Sequence, residues 1–194
     1  YSDAHVRQTL LIQGNTLTGC GDASHPGVSL YLSDQSGLAS NDVRLLDNVV
    51  QDNDGDGVVL HSADWGANAI LAACNTITGN AGAGVREVNS GAWMDPPGDW
   101  GAGNRASPGN NVITGNGSGE GVADFVNERS GEDPGNTAMA RNNWWGDTDP
   151  SDQVIGDVEF TPSLDAAPTA ALAVALTDAL VNDLPPVGPS IGDT

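Results

Sequence analysis

Two acidic residues, Glu87 and Asp124, each lie three positions after the glycine of a Gly-Val pair, Gly84-Val85 and Gly121-Val122. Earlier stretches of the chain place Leu30 and Leu60 at the same offset from Gly27 and Gly57. If these stretches stack in register, the two carboxylates come about 5 Å apart, a separation that suits a retaining glycosidase pair or the oxygen ligands of a cation. A local bulge would instead turn both outward and place Val88 and Phe125 inside. The shared Val-x-x-apolar pattern favours the bulge, so no catalytic pair is expected.

A second group of acids, Asp52, Asp54 and Asp56, alternates before Gly57 in the run Asp-Asn-Asp-Gly-Asp-Gly. It matches the first half of a calcium loop, but the twelfth position is Ala63 where a bidentate Glu is needed. Calcium is therefore the one cofactor for which the chain offers ligands, on an incomplete motif. The segment from Ser90 to Pro108 carries Trp93 and Trp100 with Asp95 and Asp99, indoles and carboxylates of the kind that stack on and hydrogen-bond a sugar. The alternative is a loop that folds back and uses its indoles as a small core. His5, His25 and His61 share no metal-ligand spacing, and neither Cys20 nor Cys74 has a nearby histidine to activate it.

These residues must be positioned by a repeat. An Asn, any residue, apolar pattern recurs at Asn15, Asn48, Asn75, Asn111 and Asn143, and the first four copies are followed by a Gly-Val pair. Apolar or small residues stand five and three positions before each Asn: Leu10 and Ile12, Val43 and Leu45, Ile70 and Ala72, Ala106 and Pro108, Ala138 and Ala140. That period of two marks a half-buried strand. Past the Asn the parity flips, with Leu17, Val50, Ile77, Ile113 and Trp145 at plus two, so one residue absorbs a bend. Asn tolerates the left-handed conformation such a bend needs, and stacked Asn side chains can bond to one another as a ladder. Each unit then supplies three short strands, each pairing with its equivalent one coil away.

This repeat resembles the right-handed parallel β-helix repeat family, the pectate-lyase-like superfold. Arg141-Asn142-Asn143-Trp144-Trp145-Gly146, followed by Val158 to Leu164, is similar to the way many members end their solenoid. The resemblance implies an all-β parallel solenoid of about five coils over residues 1–166. Residues 167–194 are expected as a short helix, with Leu172, Leu176, Leu180 and Leu184 on one stripe, and a Pro/Gly-rich tail. Lyases of this fold use a Lys or Arg base with calcium-binding acids. The chain has no Lys, and its Arg residues fall in no motif of theirs.

The 194 residues carry 26 acids against 6 Arg, a formal charge of −20. That excludes phosphate-rich nucleic acid and anionic lipid surfaces as partners and is similar to the composition of proteins adapted to high salt. No apolar stretch is long enough to span a membrane. The expectation is an extracellular or cell-surface protein, structural in role: a stalk, surface layer or filament subunit that self-associates through its solenoid ends or its C-terminal tail. The competing expectation is a β-helix that binds or modifies polysaccharide.

Overall fold

The computed structural model describes residues 6–34, 39–64, 69–89, 98–102, 107–117, 123–129 and 137–182. They form a three-sided parallel solenoid. Its first turn is β1 (Val6–Gln13), β2 (Thr16–Thr18) and β3 (Val28–Asp34), and its second is β4 (Ala39–Leu46), β5 (Val49–Gln51) and β6 (Val58–Asp64). The third is β7 (Ala69–Ala73), β8 (Thr76–Thr78) and β9 (Val85–Asn89), and the fourth is β10 (Asp99–Gly101), β11 (Val112–Thr114) and β12 (Phe125–Asn127). A partial fifth turn follows as β13 (Ala138–Ala140) and β14 (Val154–Ile155), then β15 (Val158–Glu159) adds a sixth row to the first sheet by pairing with β13, and α1 (Ala170–Asn182) comes last. The sheets run β1-β4-β7-β10-β13-β15, β2-β5-β8-β11 and β3-β6-β9-β12-β14.

About four turns are complete, not five. The fifth lacks a second strand because Trp144 makes only a single bridge to Val112 there. The columns expected from the repeat are otherwise in place. Leu10, Val43 and Ile70 share one column, and Leu17, Val50, Ile77 and Ile113 another. The core is one continuous cluster from Leu30 and Val43 to Phe125 and Trp145.

The asparagines pile up as anticipated, but a different residue takes the bend. The left-handed backbone belongs to the residue just before each ladder Asn: Gly14, Asp47, Cys74, Asn110 and Asn142, with φ from 54° to 66°. That turn aims the next side chain inward along the axis. Asn48 Nδ2 donates to Asn75 Oδ1 at 3.0 Å, Asn75 Nδ2 to Asn111 Oδ1 at 3.0 Å, and Asn111 Nδ2 to Asn143 Oδ1 at 2.9 Å. A second ladder, Asn53 to Asn80 to Asn116, runs along the next corner with links of 2.7 Å.

The fourth turn departs from the expected pattern. Ala106 lies outside the described residues, and Pro108 is not in a strand. The strand is Asp99–Gly101, and Asp99 pairs with Leu71 on one side and Met139 on the other. Trp100 therefore points into the core, where Ala72, Ala138 and Ala140, all fully buried, leave room for the indole.

Helix α1 lies against the outer face of the first sheet. Thr169 caps it, its Oγ1 accepting from the Leu172 amide. Leu180, Leu176, Ala173 and Val181 pack on Leu46, Leu71, Ala73 and Cys74. The buried stripe thus differs from the one expected, since Leu172 is exposed and Leu184 lies outside the described residues. Arg44 Nη1 donates to the Leu180 carbonyl at 2.6 Å, a cation at the negative end of the helix. No helix among the described residues is long and apolar enough to cross a membrane.

Candidate functional site

Glu87 sits in the column Leu30–Leu60–Glu87–Asn127, facing inward with only 1% of its surface exposed. Its Oε1 accepts from the Trp100 indole Nε1–H at 3.0 Å and from the Gly98 amide at 3.1 Å. The Arg129 guanidinium stands 3.6 Å from its Oε2. Burial pushes the carboxyl up to about 7, against the opposing pull of Arg129, Trp100 and Gly98.

Asp124 does not stack on it. Phe125 is registered over Val85, and the Val85 amide bonds to the Asp124 carbonyl, so Asp124 lies opposite Gly84. That is three residues, about 10 Å of strand, from the Glu87 position. The register slips because Phe125, not the residue after Gly121, takes the core column. Asp124 instead terminates the second ladder: its Oδ1 accepts the Asn116 amide and Nδ2, both at 2.8 Å. Burial raises its carboxyl above the ordinary value. The two acids are thus parts of the interior, not turned outward by a bulge as the pattern favoured, and they do not pair.

The calcium candidates are also separated by their partners. Asp56 accepts Arg86 Nε at 2.6 Å and the Ala83 amide at 2.6 Å. Asp52 accepts from Gln51, and Asp54 is exposed. Among the described residues no three His, Cys, Asp or Glu side chains gather to hold a metal ion. Of the sugar-binding candidates, Trp93 and Asp95 lie outside the described residues. Trp100 is wholly buried, so it offers no platform to a sugar, and Asp99 Oδ1 accepts from the Ser107 hydroxyl and the Gly101 amide. Both cysteines are free thiols, Cys74 buried and Cys20 at the start of the second ladder, its amide donating to Asn53 Oδ1.

A surface feature that the motif search passed over lies on the outer face of the third sheet. Tyr31, 64% exposed, is registered beside His61, with ring centroids 5.9 Å apart and tilted by 40°. A neighbouring groove of about 200 Å³ is lined by His25, Pro26, Asp56, Val59, Arg86 and Val88 among others. His25 Nδ1 is 2.8 Å from Asp22 Oδ1, and Arg86 is also paired with Glu128. Period-two counting places Tyr31 and His61 outward together, but the long-range pairing of Arg86 with Asp56 has no sequence signal.

The two ends of the solenoid differ. At the far end Trp145 is fully buried, with Phe125 at 6.4 Å and Trp100 in turn 5.8 Å from Phe125, both edge-on. The Leu164 amide closes over the Asn143 carbonyl, and the edge strands there, β14 and β15, have two residues each. At the near end β1, β2 and β3 are all edge strands. Leu10 is 46% exposed, against 1% for Val43 in the same column, and Ile12, Leu17 and Val28 are only partly buried. Asn15 donates into its ladder, while its Oδ1 accepts nothing among the described residues.

Three parallel sheets with an interior asparagine ladder decide the fold. Residues 6–95 match the family model described as the right handed beta helix region. The chain is a right-handed parallel β-helix. Searches of curated proteins and of solved structures returned no match. For this β-helix, then, the family match stands for the fold, and function must be argued from its surfaces.

Proposed function

We propose that this β-helix is a non-catalytic extracellular or cell-surface module with a structural or assembly role. The observation that carries the reading is the fate of Glu87. The strongest acid candidate is enclosed in the core, where it bonds Gly98 and Trp100 and faces Arg129, out of reach of any polymer. Four arginines whose side chains are described are engaged too: Arg44 with Asp42 and α1, Arg86 with Asp56, Arg129 with Glu87, and Arg141 with Glu159. Among the described residues the first coil presents three edge strands and partly buried apolar side chains, the kind of end that another coil can cover.

A second reading, carbohydrate binding on the flank, is favoured by the exposed Tyr31 ring beside its apolar-floored groove. One assay separates the two. The chain is incubated with polygalacturonate, xylan, alginate and chitin oligomers, reading both bond cleavage and binding by calorimetry. The structural reading expects neither. Turnover that Glu87→Gln abolishes would overturn it, and binding lost on Tyr31→Ala would establish the flank reading in its place.

A further inference from the structure

We propose that a chamber between the fourth and fifth turns binds a small ligand carrying both an ammonium group and hydroxyls, an amino sugar in chemical class. The chamber is separate from the flank groove, and the proposal does not depend on the assembly reading. The second ladder explains why the chamber exists. Its rungs stand five residues after those of the first: Asn53 after Asn48, Asn80 after Asn75 and Asn116 after Asn111. The same offset from Asn143 falls on Thr148, which is exposed, and the fifth turn has no second strand beyond the single bridge of Trp144 to Val112. The next rung is therefore missing, and Asp124 accepts the Asn116 bonds in its stead. Beside them lies a cavity of about 430 Å³, within the range of small-molecule sites.

Two polar atoms point to an occupant. Trp145 and Gln153 line the chamber, and Trp145 Nε1 and Gln153 Oε1 are both buried with no hydrogen-bond partner. Trp145 is wholly buried, and Gln153 is held in place by its Nε2, which donates to Asp147 Oδ2 at 3.1 Å. An indole N–H can only donate and an amide oxygen can only accept. The complementary group therefore offers an acceptor and a donor, as hydroxyls do and a bare metal ion does not. Charge then selects among hydroxyl-bearing ligands. Asp124, Asp147 and Asp152 line the chamber, and among the described residues no Arg or His does. Acids gathered around a concave site draw a cation and repel an anion. Burial chiefly, with the Asp147 charge in addition, raises the Asp124 carboxyl, and a cation beside it would stabilise its charged form.

Titration of the isotope-labelled full chain with glucosamine at about pH 6.5, where such an amine is charged, tests this by NMR. The signal read is the indole N–H of Trp145, assigned with Trp145→Phe or, should that variant fail to fold, by through-bond correlation in the wild type. The expected result is a saturable shift with a dissociation constant of about 1 mM. Glucose, which has the hydroxyls without the charge, should bind at least about tenfold more weakly, and glucuronate not at all. Asp147→Asn, at an exposed lining position, should weaken glucosamine at least about tenfold. Asp178→Asn, which removes the same charge from the exposed face of α1, should leave binding unchanged. No shift at Trp145 up to about 50 mM, equal binding of glucose, or indifference to Asp147→Asn would overturn the proposal. So would ordered water only, an indole N–H in contact with long-lived water and with no sugar. The polymer assay above is read at Glu87 and Tyr31, and N-acetylated chitin oligomers carry no ammonium, so the two tests fail independently.

Discussion

Replacing Asn111 with Ala should cost about 3–6 kcal/mol of stability and lower the melting temperature by about 10 °C or more. Asn111 is fully buried at the middle of the first ladder. Its Nδ2 donates to the Ala72 carbonyl, the Trp100 carbonyl and Asn143 Oδ1, and its Oδ1 accepts both the amide and Nδ2 of Asn75. Ala has no polar atom to return. At least two buried groups, the Asn75 amide and the Ala72 carbonyl, lose these partners in a place water does not reach, and each such loss costs about 1–3 kcal/mol. The same substitution at Asn15 removes only half-solvated bonds from an exposed residue and should cost about 1 kcal/mol or less. Chemical denaturation of both variants checks the contrast. Equal losses at the two positions would mean that the ladder is not a cooperative interior element.

The second large effect is a pH dependence centred on Glu87. Its carboxyl titrates near 7 in the folded chain, against 4.5 for the free side chain, because burial penalises the charged form. Between those values the folded state holds a proton that the unfolded state has released. Stability from this group therefore falls as pH rises from about 4.5 to 7 and is constant above, a total of about 3 kcal/mol. The groups facing it are Arg129, which favours the charged form, and the uncharged Trp100 and Gly98. Asp124, also raised by burial, acts in the same direction. Comparing the wild type with Glu87→Gln from pH 5 to 8 isolates the contribution, because every other charge is shared. The wild type should lose roughly 2 kcal/mol more than the variant across that range, which covers most but not all of the interval. Parallel stability curves would show that Glu87 is solvated.

Much of the fold is legible because it repeats. Leu17, Val50, Ile77 and Ile113 announce a column by recurring at one offset from one residue type, and strand pairing one coil apart follows from that alone. The bend was harder to place. Gly14, Asp47, Asn110 and Asn142 are residue types that accept positive φ and only Cys74 departs from them, but the invariant Asn that follows each is the more regular signal and tolerates the same conformation.

The site was legible only where the repeat is regular. Tyr31 and His61 pair as period-two counting requires. Glu87 and Asp124 do not, because the stretch between Gly117 and Ala123 changes the count and Phe125 re-anchors the register by filling the core. Trp100 reads as a loop indole until the alanines at 72, 138 and 140 are seen to surround it, a size complementarity between residues far apart in sequence. That removes Trp100 from the candidate loop site, whose Trp93 and Asp95 lie outside the described residues.

The central claim is that the corner asparagines are stacked along one axis and sealed from water. Hydrogen exchange of their side-chain amides, followed by NMR, measures this directly. The Nδ2 protons of Asn48, Asn75 and Asn111 should persist for hours, as buried donors do, while those of exposed Asn15 exchange within minutes. Uniformly fast exchange at all four would contradict the stacked interior, and with it the solenoid register on which every site described above depends.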